Sequence, residues 1–307
     1  MIELTKHRLL DLESTIEGRP EHLSAGSGIA RRHDWIYVVG DDELDLAVFS
    51  ATSDAPGELI PLFEGELPID EAERGRDKPD LETLAILPPF RHNPYGALLA
   101  LGSGGGDSRS NGFGWSLDED GALRGFPCVI NLGPLYDDLR ERLSGDLNIE
   151  GVTVSEDHLV LFQRGNSAEG HNQIIRLSLE KVIQTLLSDF RIDASEIDDI
   201  QSYDLGEAGG VQLCFSDGDA LPDGRMVFTA SAEAEDDDAH EGPTAGATIG
   251  IIEADGTLGF SDFVDDDSVK IEGVDAVVND GKIELLLTAD ADDVDTASPL
   301  LSATMEA

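Results

Sequence analysis

Short apolar runs recur along the chain, separated by clusters of Asp, Glu, Gly, Asn and Pro. A signature repeats at the head of some of these runs: a polar residue, a small residue, then an aliphatic stretch. It occurs as Ser27-Gly28-Ile29-Ala30, Glu82-Thr83-Leu84-Ala85, Glu150-Gly151-Val152-Thr153 and Glu272-Gly273-Val274-Asp275. The intervals are 55, 68 and 122 residues. The last is about twice 61, which predicts a hidden copy near position 211. Gly210-Val211-Gln212-Leu213-Cys214-Phe215 fits there as a degenerate copy without the glutamate.

Each signature is followed by a second β-rich run: Trp35–Val39, Ala97–Leu101, His158–Phe162, Arg225–Thr229 and Lys282–Thr288. The residues between first and second runs are turn formers, namely His33-Asp34, Glu156-Asp157, Pro222-Asp223-Gly224 and Asn279-Asp280-Gly281. Asp-Gly suits primed hairpin turns, which need positive φ. Third strands are expected at Leu44–Ser50, Phe113–Leu117, Gln173–Leu177 and Ala247–Glu253. The pattern predicts an all-β fold: a five-bladed β-propeller of four-stranded antiparallel blades in one domain. The blades span about 27–75, 80–145, 148–205, 209–265 and 270–305.

The fifth unit ends too early for a fourth strand, while Ile2–Leu12 precedes the first unit with no partner. Pairing the two closes the ring and removes two open sheet edges. Leu135–Leu143 and Leu179–Phe190 carry helical spacing and are expected as short decorations. Glu235–Gly246 reads as an exposed acidic loop.

Charge alters the picture next. The chain has 64 acidic residues against 20 basic ones, a formal net charge of −44, and only 5 of the basic residues are Lys. Such a composition suits a halophilic protein, because molar salt shrinks the screening length to about 3 Å and relieves self-repulsion. It excludes nucleic-acid binding, which needs clustered Lys and Arg. No apolar stretch reaches the roughly 20 residues of a membrane helix. The start of the chain lacks a signal-peptide pattern, so a cytoplasmic location is expected. Cys128 and Cys214 sit in apolar runs and read as buried thiols.

In a propeller the first strand of each blade lines the central channel. The polar slots therefore meet at one mouth: Glu82, Glu150 and Glu272, with Ser27 from the first blade. The ends of the second strands add Asp41, Ser103, Arg164, Asn166, Glu233 and Asp290. Converging carboxylates repel unless a proton, a cation or an arginine balances them. Oxygen ligands of this kind suit Ca2+ or Mg2+, which would polarise a carbonyl or phosphoryl oxygen. The alternative neutralisers are internal, with Arg164 and Lys78 paired to the glutamates. The Gly102–Gly106 run lacks the lysine of a phosphate loop, and no His-Glu-x-x-His pattern occurs.

The runs Lys78-Pro79-Asp80-Leu81-Glu82-Thr83-Leu84-Ala85, Leu147-Asn148-Ile149-Glu150-Gly151, Gln163-Arg164-Gly165-Asn166 and Lys270-Ile271-Glu272-Gly273 resemble a set of uncharacterised bacterial β-propellers. That set is similar to the phytase-like and SdiA-regulated propeller groups. The resemblance implies a divalent metal, often calcium, at the channel mouth, and ester or lactone hydrolysis. It points to Glu82, Glu150 and Glu272 as metal ligands, with Asn166 as a neutral ligand. Arg164 would then bind the anionic part of a small ester, lactone or phosphoester. The competing expectation is a non-catalytic propeller that binds a small-molecule or protein partner.

Overall fold

The computed structural model describes residues 1–13, 20–65, 67–68, 73–74, 77–166, 170–235, 241–266, 268–290, 293 and 295–307. After an N-terminal strand β1 (Thr5–Leu9), the first blade comprises β2 (Gly28–Arg32), β3 (Trp35–Val39), β4 (Asp45–Ser50) and β5 (Glu58–Pro61). The second comprises β6 (Leu81–Leu87), β7 (Ala97–Gly102), β8 (Asn111–Leu117) and β9 (Leu123–Asn131), followed by helix α1 (Gly133–Arg142). The third comprises β10 (Ile149–Ser155), β11 (His158–Gln163), β12 (Asn172–Ser178) and, after helix α2 (Leu179–Asp189), β13 (Ile197–Tyr203). A small hairpin, β14 (Glu207–Ala208) and β15 (Val211–Gln212), leads to the fourth blade. That blade holds β16 (Cys214–Ala220), β17 (Met226–Glu235), β18 (Glu241–Ile252) and β19 (Leu258–Phe263). The fifth holds β20 (Lys270–Asn279), β21 (Lys282–Asp290) and β22 (Pro299–Glu306), with β1 as its outer strand.

The inner strands form a ring. β2 touches β6, β6 touches β10, β10 touches β16, β16 touches β20, and β20 returns to β2. The hydrophobic interior is divided accordingly into five clusters, one per blade junction. Tyr37 and Val39 of β3 pack towards the second blade, while Ile36 and Val38 pack towards the fifth. Both faces of a middle strand are therefore covered, and Ala97–Leu101 is buried throughout. This explains why second strands read as continuous apolar runs and lack alternation.

The expected turn at Pro222-Asp223-Gly224 lies in a five-residue loop between Ala220 and Met226, whereas the other three form as two-residue connections. His33, Glu156 and Asp280 open them with φ of 52°, 53° and 48°. The closing strand does more than the sequence suggested. Thr5 pairs with Ser302 and Leu9 with Pro299 on β22. Upstream, Ile2 bridges Val264 beside the fourth blade, and downstream Leu12 bridges Gly57 of the first. One short segment thus ties three blades together.

Two expectations need correction. The fourth inner strand is Cys214–Ala220, and the degenerate copy at Gly210-Val211 belongs instead to the preceding small hairpin. Residues 241–246 are not a loop but the start of β18, which pairs with β17 as far out as Glu235–Glu241. The centre of that expected loop, 236–240, lies outside the described residues. No helix among the described residues is long and apolar enough to cross a membrane.

Candidate functional site

The polar slot of the signature lies where the inner strand bulges. Pairing shifts at Glu82 between Leu81 and Thr83, at Glu150 between Ile149 and Gly151, and at Glu272-Gly273 between Ile271 and Val274. In the fourth blade the same shift falls at Ser216. A bulged residue leaves the ladder and re-aims its side chain. Ser27 has the equivalent place in the first blade, where its N–H and the adjacent Gly28 both meet Val39. The ring of slots is therefore Ser27, Glu82, Glu150, Ser216 and Glu272, all at most 9% exposed.

The carboxyl groups are balanced by cations in two networks. In the first, the Lys78 ammonium bonds Asp41 and stands 3.0 Å from Asp80 Oδ1. Arg109 holds Asp80 Oδ2 at 2.9 Å, and Ser103 Oγ also donates to Asp80. In the second, the Arg164 guanidinium donates to Glu233 and lies 3.5 Å from Glu150 Oε2. The Lys270 ammonium lies 3.3 Å from Glu272, 3.5 Å from Asp290 and 3.6 Å from Glu233. Asn148 Nδ2 donates to Glu150 Oε1 at 2.5 Å. These partners come from the third, fourth and fifth blades, so the network also clamps the ring.

Glu82 stands between the networks. It makes no hydrogen bond or ion pair to another described residue that would neutralise it. Burial, then the Glu150, Asp80 and Asp41 carboxylates, push its carboxyl well above the ordinary range, against the pull of Lys78. Burial likewise raises Glu272, opposed by Lys270 and Arg164 and reinforced by Glu150 and Glu233. Burial works against the Lys78 ammonium, but Asp41, Asp80 and Glu82 outweigh it and raise its pKa. The mouth therefore sets carboxyl groups of raised pKa, Glu82 and Glu272, beside carboxyl groups held by cations.

The three expected glutamates reach the same mouth, but not as one ligand shell. Glu150 and Glu272 are engaged by Arg164 and Lys270. Asn166 is exposed on the loop after β11. Among the described residues, the carboxylate group compact enough for a cation is a different one: Asp41, Asp80 and Glu82, with oxygens within 4.8 Å of one another. Lys78 bridges two of these three. An ion there must displace the ammonium, so the donor set does not fit a resident calcium while Lys78 is bound. The expected pairing of Lys78 and Arg164 with carboxylates is present, although Lys78 binds Asp41 and Asp80.

Sequence reasoning passed over Asp80 and Lys270 as parts of the mouth. A signal existed for the lysine. In a chain with 5 Lys, two stand shortly before a signature glutamate, Lys78 before Glu82 and Lys270 before Glu272. Asp80 carried no comparable mark; its left-handed φ of 55° appears only in three dimensions.

The fold and the slot ring define a five-bladed β-propeller with an acidic, internally counter-charged channel mouth. The chain belongs to the family described as "Family of unknown function (DUF6929)", whose profile matches residues 22–305. No curated protein matches the sequence. Among solved structures, the chain is similar to MPT-4, a mannose phosphorylase from Leishmania mexicana in complex with phosphate ion. The TM-score there is 0.51 at 14% identity, covering 99% of this chain and 88% of that one. Myxococcus xanthus glutaminyl cyclase gives a TM-score of 0.49 at 11% identity, covering 99% and 98% of the two chains. Cellvibrio cellulosa α-L-arabinanase gives 0.47 at 15% identity, covering 91% and 90%. At such identities the likeness is one of fold.

Proposed function

We propose that the channel mouth is a small-molecule site for proton-transfer chemistry, and that the protein hydrolyses a small uncharged ester or lactone. The observation that carries this reading is Glu82, a buried carboxyl whose pKa is raised by burial and by neighbouring carboxylates, beside Glu150 and Asp80, which have cation partners. Titratable groups pushed apart in pKa are the usual form of an acid–base pair. Glu82 donates a proton to the leaving oxygen. Glu150, oriented by Asn148 and Arg164, accepts one from the attacking water. Arg164 is a positioning residue in this scheme, since two carboxylates already occupy it.

Charge narrows the substrate. Asp41, Asp42, Asp80, Glu82, Glu150, Glu233, Glu272 and Asp290 face Arg74, Lys78, Arg109, Arg164 and Lys270. Among the described residues the carboxyl groups outnumber the cations, so a neutral ligand suits the mouth better than a phosphoester. A second reading rests on the carboxyl oxygens of Asp41, Asp80 and Glu82, which lie within 4.8 Å of one another: Ca2+ would displace Lys78 and bind these three groups.

The test assays the purified protein on p-nitrophenyl acetate and on small lactones from pH 5 to 9, with calcium or with chelator. Turnover is expected, falling on the alkaline side as Glu82 loses its proton. Glu82→Gln should lower kcat by about 100-fold or more, the usual contribution of a general acid. No turnover above background under any of these conditions removes the hydrolase and leaves a binding propeller. A calcium-dependent rise in melting temperature that Asp41→Asn abolishes would favour the metal reading.

A further inference from the structure

The outer strand of the second blade carries a bulge that faces solvent. β9 pairs with β8 through Cys128 opposite Gly114 and Arg124 opposite Ser116, so Gly125, Phe126 and Pro127 all stand against Trp115. Gly125 allows the excursion with a φ of 78°. A bulge re-aims its side chains, and Phe126 is left 93% exposed. Val129 is exposed on the same strand. Phe190, whose carbonyl accepts the Asn131 N–H at 2.9 Å, adds an exposed ring at the end of that strand.

The charge around Phe126 differs from that of the rest of the molecule. Acidic residues number 64 of 307, yet 121–136 contains none, and neither does 83–106. The exposed part of the latter run is the β6–β7 connection, with Arg91, His92 and Tyr95. That connection is joined to β9, because Asn93 accepts the Ser116 hydroxyl and Ser116 lies opposite Arg124. Arg91 and Arg124 have no carboxylate partner among the described residues. The acidic turn Asp118-Glu119-Asp120 is held towards the first blade, where the Tyr37 hydroxyl donates to Gly121 O at 2.6 Å. Aromatic rings and arginines without carboxylates are the composition of a protein interface.

We infer that the Phe126 bulge is the centre of a two-fold contact between two copies of this chain. Each copy carries a net charge of −44, so two copies repel least where carboxylates are missing from both faces. This rim meets that condition, whereas a basic partner would select the acidic remainder of the surface. Pro127 has no N–H and the bulge breaks the ladder, so side chains make the contact and the two sheets do not join. A two-fold axis sets the same patch against itself and closes at the dimer. The contact does not depend on the proposed hydrolysis.

Sedimentation velocity of the full chain over a range of concentrations, in low and in molar salt, tests it. A monomer–dimer equilibrium is expected, and the dimer should tighten with salt as the net charge is screened. Phe126→Asp should weaken it about tenfold or more, with a melting temperature near the parent's because the ring is exposed. Phe126→Ala should act in the same direction without adding a charge. Phe260→Asp, at an exposed ring on β19, should leave the dimer unchanged. A monomer under every condition would overturn the inference, and so would a dimer that Phe126→Asp leaves intact or that Phe260→Asp dissolves equally. Dissociation in molar salt would overturn it as well, since ion pairs from Arg91 and Arg124 to carboxylates would then hold the contact.

Discussion

Replacing Asp217 by Asn should make the protein more stable at pH 8 while changing little at pH 4.5. Asp217 lies on β16, 1% exposed, at the junction of the fourth and fifth blades. Its Oδ2 accepts the Val274 N–H at 2.9 Å. Its Oδ1 has no hydrogen-bond partner among the described residues. Burial pushes this carboxyl well above the ordinary aspartate range; the N–H groups of Val274 and Gly218 oppose that, and the charges of Asp219 and Glu272 reinforce it. The folded protein therefore retains a proton that the unfolded chain releases near pH 4. A raised carboxyl contributes its full stability below the unfolded pKa and loses it as pH rises through the folded one. The loss is about 1.4 kcal/mol per pH unit over that window. Asn preserves the acceptor to Val274 and places its amide where Oδ1 stands, but does not titrate. Urea unfolding of both proteins between pH 4.5 and 8.5 would measure the difference directly. It should begin within about 1 kcal/mol of zero and shift towards the variant with rising pH. Asp219, which burial and Asp275 push up to about 7, adds to the parent's own decline. Its contribution is at most about 4 kcal/mol between pH 4 and 7. A difference that stays flat, or that favours the parent at high pH, would refute the reasoning.

Removing residues 1–12 should collapse the ring. The deletion takes away β1 and the buried side chains of Ile2, Leu10 and Leu12, worth roughly 5 kcal/mol or more, a large share of a typical domain's stability. An unchanged melting temperature would disprove the closure. Gly273→Ala should lower the melting temperature, because the added Cβ would lie 2.5 Å from Thr288 Oγ1 and 3.0 Å from the Ile29 backbone nitrogen. Overpacking of this kind costs about 1–3 kcal/mol, and a neutral result in a thermal melt would count against the close approach of β2 and β20. Stability should rise between low and molar salt, since a net charge of −44 is screened there; a flat denaturation midpoint would argue against a salt-adapted surface.

The ring was legible in the sequence where polarity follows exposure, and illegible where it does not. The turns at His33-Asp34 and Asp280-Gly281, and the apolar second strands, announce themselves locally. The fourth inner strand, Cys214–Ala220, reads Cys-Phe-Ser-Asp-Gly-Asp-Ala and resembles a turn. Its carboxylates are polar for another reason. Asp217 and Asp219 accept the Val274 and Ala276 N–H groups of the next blade, at 2.9 and 2.8 Å. Asp275 does the same for Arg31 N at 2.8 Å. These aspartates supply acceptors that the next blade's inner strand lacks on its channel edge. No window of a single strand contains that partner. The convergence of Glu82, Glu150 and Glu272 could be inferred from the repeat. Their division between two cation networks could not, because Arg164, Glu233 and Lys270 meet across blades about 30 to 70 residues apart.

The closing strand has a consequence for how the protein is made. Thr5 lies opposite Ser302, so β1 leaves the ribosome long before its partner exists. Until β22 emerges, β1 is an unpaired edge and the first and fourth blades lack the contacts it provides. Non-local pairing of this span is slow to form and leaves sticky edges exposed meanwhile. The ring cannot close blade by blade during synthesis, and a chain cut short before β22 has no route to the native seam. Closure therefore acts as a check that translation has passed Ser302, and truncated products are left open to proteolysis.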